Sequence, residues 1–320
     1  MNRILKICCL TPVFNDWESF QILLNRLEFL LKDHDLELRV FAINDGSTEQ
    51  QPFLETKLEV ITVHLKLNIG HQRAIAVGLQ YIYNEVTDYD YVVVMDSDGE
   101  DRPEDIPALI ASAEREHSKK IVFAQRKKRQ ESVWFKTGYF FYKNLFHFLT
   151  GQRISFGNFS SIPKNLLGKV VHQHNIWNHY SGGIIQSRIP YTQVELDRGK
   201  RYKGVSKMNF NGLILHGLSS IAVYFDFLSL RILRVSLYGI AICFISVLYI
   251  LYQKLFTDNA IPGWASSLIL IISGIILQLF SVTLIVLLLQ LSSRKNISEP
   301  KADIYRSFID SITKANDEAN

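Results

Sequence analysis

Short apolar runs rich in branched side chains recur along the first hundred residues as ILKICCL, LRVFAI, VITVHL and YVVVM. Between them, apolar residues return at helical period, from Ser19 to Leu31 and from Gln72 to Tyr83. Runs of this length with few polar interruptions suit strands covered on both faces, and the alternation predicts an α/β domain with a largely parallel sheet. In such a sheet ligands bind beyond the carboxyl ends of the strands, so polar motifs are expected there. They follow the strands: TPVFND after the first, NDGSTE after the second, and DSDGEDRPED after the strand Tyr91 to Met95.

The pattern changes near the far end. No charge occurs from Val235 to Tyr252 or from Trp264 to Leu291, and roughly 20 mainly apolar residues suffice for a transmembrane helix. The connection, Gln253 to Gly263, carries a Pro-Gly turn signal, so the two helices are expected as an antiparallel hairpin. The alternative, a pair of buried core helices, fits poorly with two helices lacking any charged face. Arg231 and Arg234 precede the hairpin, and Arg294, Lys295 and Lys301 follow it. By the positive-inside rule both ends lie in the cytosol, which places the chain in an inner or plasma membrane. Two further segments, 134–149 and 208–227, mix aromatics and apolar residues with charges and are too interrupted to span. They suit helices lying among the lipid headgroups, although core helices of the domain are the other reading. The expected organisation is therefore an α/β domain over 1–230, two helices within 231–293 (about 235–252 and 264–291), and a cytosolic tail over 294–320.

Composition alters this picture little. A hydrophobic fraction of 48% supports a real core, and a net charge of +4 over 320 residues offers no argument for a nucleic-acid partner. Cys8, Cys9 and Cys243 have no metal-ligand spacing and no paired framework, and are expected as reduced, packed residues.

The acidic cluster carries the chemistry. In an extended segment residues two apart project to one side, so Asp96 and Asp98 are expected to present their carboxylates together. A hard cation, Mg2+ or Mn2+, takes oxygen ligands from one or two carboxylates plus substrate phosphates and water. A plain acidic helix start accounts for the rest of the cluster, since Pro103 suits a first helical position and Glu104 and Asp105 face the helix dipole favourably.

With TPVFND, INDGSTE, LNIGHQRAIAVGL, MDSDGEDRPEDIP and RYKGVSKMNF in order, the chain resembles family 2 glycosyltransferases of the polyprenyl-phosphate sugar transferase type. These include dolichol-phosphate mannose synthase and the bactoprenol glucosyltransferases, and the likeness covers about Ile4 to Phe227. The resemblance implies a GT-A catalytic domain and a role in cell-envelope glycan biosynthesis. It implies inverting, metal-dependent transfer of a hexose from a UDP- or GDP-sugar to a membrane polyprenyl phosphate, with membrane lipids as partners and a homo-oligomer left open. It further implies that Pro12, Phe14 and Asp16 line the base and ribose pocket with Asp45 helping to select the base. Asp96 would approach the nucleotide and metal, with Asp98 and Glu100 on the cation. Arg126 and Arg129 would lie near the sugar and acceptor phosphate, and Arg201, Lys203 and Lys207 would close over the phosphates. Asp96, Asp98, Arg126 and Lys207 are then the catalytic candidates. Asp16 replaces a commoner glutamate, and Asn44 stands where many members have aspartate. Ser155, Phe156, Gly157, Asn158 and Phe159 replace Asp-x-Gly-Asp-Phe, losing both acids. A transferase acting on another glycan or lipid-linked acceptor, or a catalytically silent membrane scaffold, are the competing readings. His71, His174 and His179 belong to no motif and are expected to be structural or hydrogen-bonding residues.

Overall fold

The structure, a computed structural model, describes residues 4–126, 157–203, 223–257, 263–295 and 301–315. The described residues form two units: an α/β unit comprising those up to Val223 together with 301–315, and a second unit of two long helices.

In the α/β unit, strand β1 (Leu5–Val13) leads through helix α1 (Trp17–Asp33) to β2 (Leu36–Asn44) and β3 (Glu59–Leu65). Helix α2 (His71–Glu85), β4 (Tyr91–Val94), α3 (Ile106–Arg115) and β5 (Ile121–Arg126) follow. Next come β6 (Ser160–Pro163), α4 (Lys164–Val171), α5 (Tyr180–Gln186) and β7 (Tyr191–Leu196). A last strand, β8 (Ile309–Lys314), lies beyond the long helices, and the sheet order is β7-β5-β6-β4-β1-β2-β3-β8. The centre is parallel as expected, with β1 between β2 and β4, and β3 outside β2. The sheet as a whole is mixed, because β6 runs antiparallel to both β4 and β5, and β8 antiparallel to β3.

Successive residues of β1 explain its unbroken hydrophobicity. Cys8 and Leu10 pack into one core with α2, while Ile7, Cys9 and Val13 pack into the other with α1 and α3. Both thiols are free and buried, and burial pushes each up to about 12, so they are inert neutral packing groups.

The segment expected only as a tail instead completes the sheet. Gln80, fully buried on α2, donates from Nε2 to the carbonyl of Lys301 at 2.9 Å and accepts the Tyr305 N–H at 3.1 Å. Asn84 donates to the Ala302 carbonyl at 2.7 Å, and Glu85 accepts from the Tyr305 hydroxyl and from Arg306. Tyr305 is 2% exposed and meets the Tyr81 ring edge-on. Strand β8 then pairs with β3 from Ile61–Lys314 to Leu65–Ile309. A short sequence rich in serine and charge does not advertise this role, because its stability comes from α2 and β3 rather than from its own hydrophobic pattern.

The second unit consists of α6 (Phe225–Phe256) and α7 (Trp264–Lys295), 32 residues each. At about 1.5 Å per residue each is about 48 Å long, against a hydrocarbon core of roughly 30 Å. Ser229 meets Gln290 and Gly239 meets Leu279, contacts that run in opposite directions along the two helices, so the pair is antiparallel. Leu, Ile and Phe side chains stand exposed along both helices, joined on α6 by Tyr238, Tyr249 and Tyr252. Helices apolar on every side and exposed within their own unit are long and apolar enough to cross a membrane. The first begins ten residues earlier than expected, taking in Asp226, Arg231 and Arg234. At that end Ser229 donates to Gln290 Oε1 at 2.8 Å and Gln290 donates to Asp226 Oδ1 at 2.7 Å. The expected interfacial segments at 134–149 and 208–227 lie outside the described residues, apart from Val223 to Phe227, whose last three residues open α6.

Candidate active site

Three loops converge beyond the carboxyl ends of β1, β2 and β4. After β1, Asn15 takes a left-handed conformation at φ 49°. Its Oδ1 accepts the N–H groups of Thr48 and Glu49 at 2.9 and 3.2 Å, and its own N–H donates to Ser47 Oγ at 3.0 Å. The loops after β1 and β2 are thereby joined. Pro12 lies buried in β1, and its carbonyl accepts the Ser97 hydroxyl at 3.4 Å, joining the β1 and β4 ends. Phe14 is 42% exposed, and Asp16 opens α1 without its side chain capping the helix. The two nucleotide candidates thus flank Asn15, which sequence reasoning missed although it stands inside TPVFND.

Asp45 has structural partners. Its two carboxylate oxygens accept the N–H groups of Ile69 and Gly70 at 2.8 and 3.0 Å, organising the approach to α2. Burial pushes this carboxyl up, and the two N–H donors and His71 draw it back. Gly46 follows at φ 64°, and a Cβ there would come within 2.5 Å of the Asn68 nitrogen, so only glycine fits.

The acidic loop is a turn and not the extended segment expected. Strand β4 stops at Val94, and Gly99 turns the chain at φ 90°. Asp98 Oδ1 accepts the Glu100 N–H at 2.9 Å, and Asp101, 2% exposed, accepts the Asp96 N–H at 2.9 Å. The two expected carboxylates are still brought near each other. Burial pushes Asp98 up, the Glu100 N–H and Arg201 oppose this, and the charge of Asp96 adds to the rise. Beyond the turn Pro103 opens a short 3-10 stretch with Glu104 and Asp105 in its first turn, as a helix start requires.

Residues following β7 lie as a strap over this loop. The N–H groups of Gly199 and Tyr202 donate to the carbonyls of Glu100 and Asp98, each at 2.9 Å. Arg201 meets Asp98 Oδ2 at 2.7 Å and Glu100 Oε1 at 3.3 Å, and Arg198 bonds the other Glu100 oxygen. The Tyr202 ring covers Gly99, where a Cβ would approach it to 2.6 Å, and Arg26 stacks on the ring at 4.9 Å. Lys203 reaches Glu18 at 2.8 Å, at the start of α1. Arg198, three residues before the anticipated Arg201, is the cation that motif matching passed over. The Arg126 side chain, Arg129 and Lys207 lie outside the described residues.

His71, assigned no role from sequence, opens α2 with its Nε2 3.1 Å from Asp96 Oδ1 and 3.1 Å from Asn158 Nδ2. Desolvation lowers its pKa, but Asp96, Asp45 and Asp101 raise it by more, and the balance is upward. Gln72 Nε2 approaches Asn158 Oδ1 at 3.4 Å, and Gln72 Oε1 accepts the Tyr180 N–H at 2.6 Å. Asn158, in place of an acid, is therefore an amide lodged between the first two residues of α2. His179 accepts the Gly182 N–H as the cap of α5, a structural role.

The donor set suits a hard cation in part. Asp96 and Asp98 supply carboxylate oxygens, matching the one or two that Mg2+ or Mn2+ takes beside substrate phosphates. Glu100 is committed to Arg198 and Arg201, and among the described residues no group of three His, Cys, Asp or Glu side chains is assembled to hold a metal.

A family model described as glycosyl transferase family 2 matches residues 8–176. An uncharacterized glycosyltransferase, YkcC of Bacillus subtilis, is 26% identical over 300 residues, spanning 88% of each chain. An undecaprenyl-phosphate 4-deoxy-4-formamido-L-arabinose transferase of Proteus mirabilis is 33% identical over 141 residues, which is 42% of this chain and 41% of that one. Among solved structures, glucosyl-3-phosphoglycerate synthase of Mycobacterium tuberculosis, in complex with Mn2+, UDP-glucose and phosphoglyceric acid, superposes with a TM-score of 0.51. It is 15% identical, with 70% of this chain and 80% of that one covered, so it shows the fold, a GT-A-like mixed α/β sheet.

Proposed function

The chain belongs to glycosyl transferase family 2, and from that premise we propose that it moves a hexose from a nucleotide sugar to a polyprenyl phosphate held in a membrane, inverting the anomeric centre. The observation that carries this reading is the pairing, in one chain, of the Asp96–Asp98 loop under its arginine strap with two helices apolar enough to cross a membrane. The name of the Proteus relative, an undecaprenyl-phosphate transferase, supports the acceptor class.

Phe14, exposed, would offer a stacking face to the base, and Pro12 and Asp16 are assigned with it to the base and ribose pocket. Asp45 acts on the nucleotide through the backbone it orders at Ile69 and Gly70. Asp96 and Asp98 would hold a divalent cation, which when bound supplies positive charge against the diphosphate. Arg201 lies beside the same loop and Lys203 reaches Glu18 at the start of α1, and a guanidinium donates two parallel hydrogen bonds to phosphate. Arg126, Arg129 and Lys207 are assigned to the sugar and acceptor phosphate from the family resemblance alone. The acceptor needs little general-base help, because a phosphate monoester loses its second proton near pH ~6 and is dianionic at neutral pH. An amide at Asn158 is thus compatible with turnover.

Val223 and residues 301–315 belong to one α/β unit, so the helical pair leaves it and returns to it. Arg231 and Arg234 before the helical pair and Arg294 and Lys295 at its other end support, by the positive-inside rule, a hairpin with both ends on the cytosolic side. The test is to incubate the purified chain with undecaprenyl or dolichyl phosphate and a panel of UDP- and GDP-sugars, with and without Mn2+, and to weigh the lipid products by mass spectrometry. Metal-dependent formation of a lipid-phosphate hexose is expected. Absence of transfer to every lipid phosphate, in protein that retains its melting transition, would overturn the proposal.

A further inference from the structure

Strand β8 does more than close the sheet edge. A line of polar side chains runs from it to the loops beyond β1 and β2, and the donors and acceptors along it follow from one fixed point. The Ser47 backbone N–H can only donate, so Asn44 must present Oδ1 to it, at 3.0 Å. The Asn44 amide nitrogen is then left facing His64 Nδ1 at 3.0 Å, and since that nitrogen donates, Nδ1 accepts. The ring proton therefore sits on Nε2, which donates to the Thr313 hydroxyl of β8 at 2.9 Å. At the other end Ser47 Oγ accepts the N–H of Asn15, the residue between Phe14 and Asp16. Asn44 is 8% exposed, so its bonds are sheltered from water, and β8 is itself held, by Gln80 and Asn84 before it and by the Ala315 N–H to the Val60 carbonyl after it.

We propose that β8 is a positioning element of the donor pocket: Thr313, acting through His64 and Asn44, holds the 44–49 loop, and with it Phe14 and Asp16, in the shape that receives the nucleoside of the donor. This rests on the reading of Phe14 and Asp16 as nucleoside contacts. None of the relay residues touches the reacting atoms, so they act on donor binding and leave the chemical step alone. The segment after the helical pair thereby becomes part of the specificity apparatus, and the donor pocket is complete only once residues 301–315 have docked on α2 and β3.

The test uses the full chain in detergent or lipid nanodiscs, with Thr313→Val, Thr313→Ser, His64→Leu and the His64→Leu/Thr313→Val pair. Valine matches threonine in shape, so the fold survives the loss of the hydroxyl. Thr313→Val and His64→Leu are expected to raise the donor KM about 2–10-fold, the loss of roughly one net hydrogen bond. They should leave kcat and the acceptor KM within about twofold, and shrink the upward melting shift produced by UDP or GDP with Mn2+. Thr313→Ser should behave as wild type, and the pair should be no worse than His64→Leu alone, because one relay is broken once. An unchanged donor KM and nucleotide shift in Thr313→Val, whether or not its melting temperature falls, would overturn the inference while leaving the proposed function standing. A wild-type chain that neither saturates with any nucleotide sugar nor shifts with any nucleotide diphosphate would overturn the donor reading and this inference with it.

Discussion

The loops after β2 and β4 flank the β1 loop at the same end of the sheet and are held by opposite means. The first is fixed by neutral hydrogen bonds reaching it from β8, a strand 249 residues further along at Thr313. The second is fixed by charge, with Asp98 and Glu100 taken up by Arg198 and Arg201 of the strap. A neutral relay is directional and insensitive to salt, which suits a pocket for a nucleoside. A charged strap can exchange its carboxylate partners for phosphates, which suits the diphosphate end of the same donor.

The sharpest way to break the comparison is to remove the charge centre. Asp98→Ala should lower transfer at least about 100-fold, the scale of losing one electrostatic group at a reacting centre, and abolish Mn2+-dependent stabilisation by a nucleotide diphosphate. Steady-state rates and melting curves read this directly. Gly99→Ala attacks the backbone on which both loop and strap depend. A side chain at φ 90° pressed on the Tyr202 ring is expected to cost about 1–3 kcal/mol of stability and to displace Asp98, seen as a lower melting temperature together with a lower kcat. Gly46→Ala, equally strained and against the Asn68 backbone, should cost a similar amount but act on the donor KM.

Replacing a strap cation is milder. Arg201→Lys keeps the charge and loses the fork, so a roughly 3–30-fold fall in kcat/KM is expected, with Arg201→Ala lower still. If Arg201→Lys matches wild type, the planar geometry is irrelevant and only charge matters; if it falls as far as Arg201→Ala, the charge without the fork contributes nothing. The smallest effect is on dynamics. Raising salt from about 0.05 to 0.5 M should speed hydrogen exchange at the Gly199 and Tyr202 amides by a few-fold, while the Ser47 amide holds its rate. Equal salt responses at the two loops would show that charge does not distinguish them.

The central parallel sheet was legible because strands buried on both faces need near-continuous apolar runs, and ILKICCL, LRVFAI, VITVHL and YVVVM have little else to become. The long helices were legible for the same reason, although their first turns were not. Asp226, Arg231 and Arg234 look like an end of hydrophobicity, yet a helix continues wherever its backbone bonds continue. Motifs that follow strands located the three loops of the site. What they could not convey was partnership. Nothing in the motif around Asp45 shows that its carboxylate accepts the Ile69 and Gly70 N–H groups. His71 had no motif and came to rest between Asp96 and Asn158, because only the packing of α2 against β1 and β2 decides which side chain its first residue meets.

By itself, then, the sequence determined the class of fold, the presence of two helices apolar enough for a membrane, the order of the site loops and the residue types on them. These are local properties, set by the period of apolar side chains and by turn chemistry within a few residues. Tertiary structure decided the rest: that the last strand closes the sheet beside β3, that Thr313 reaches Asn44 through His64, and that Arg198 and Arg201 settle on Glu100 and Asp98. Each of these joins groups that are remote in the chain through contacts of about 3 Å, and a hydrogen bond's partner is chosen by where folding brings it and not by its place in a motif.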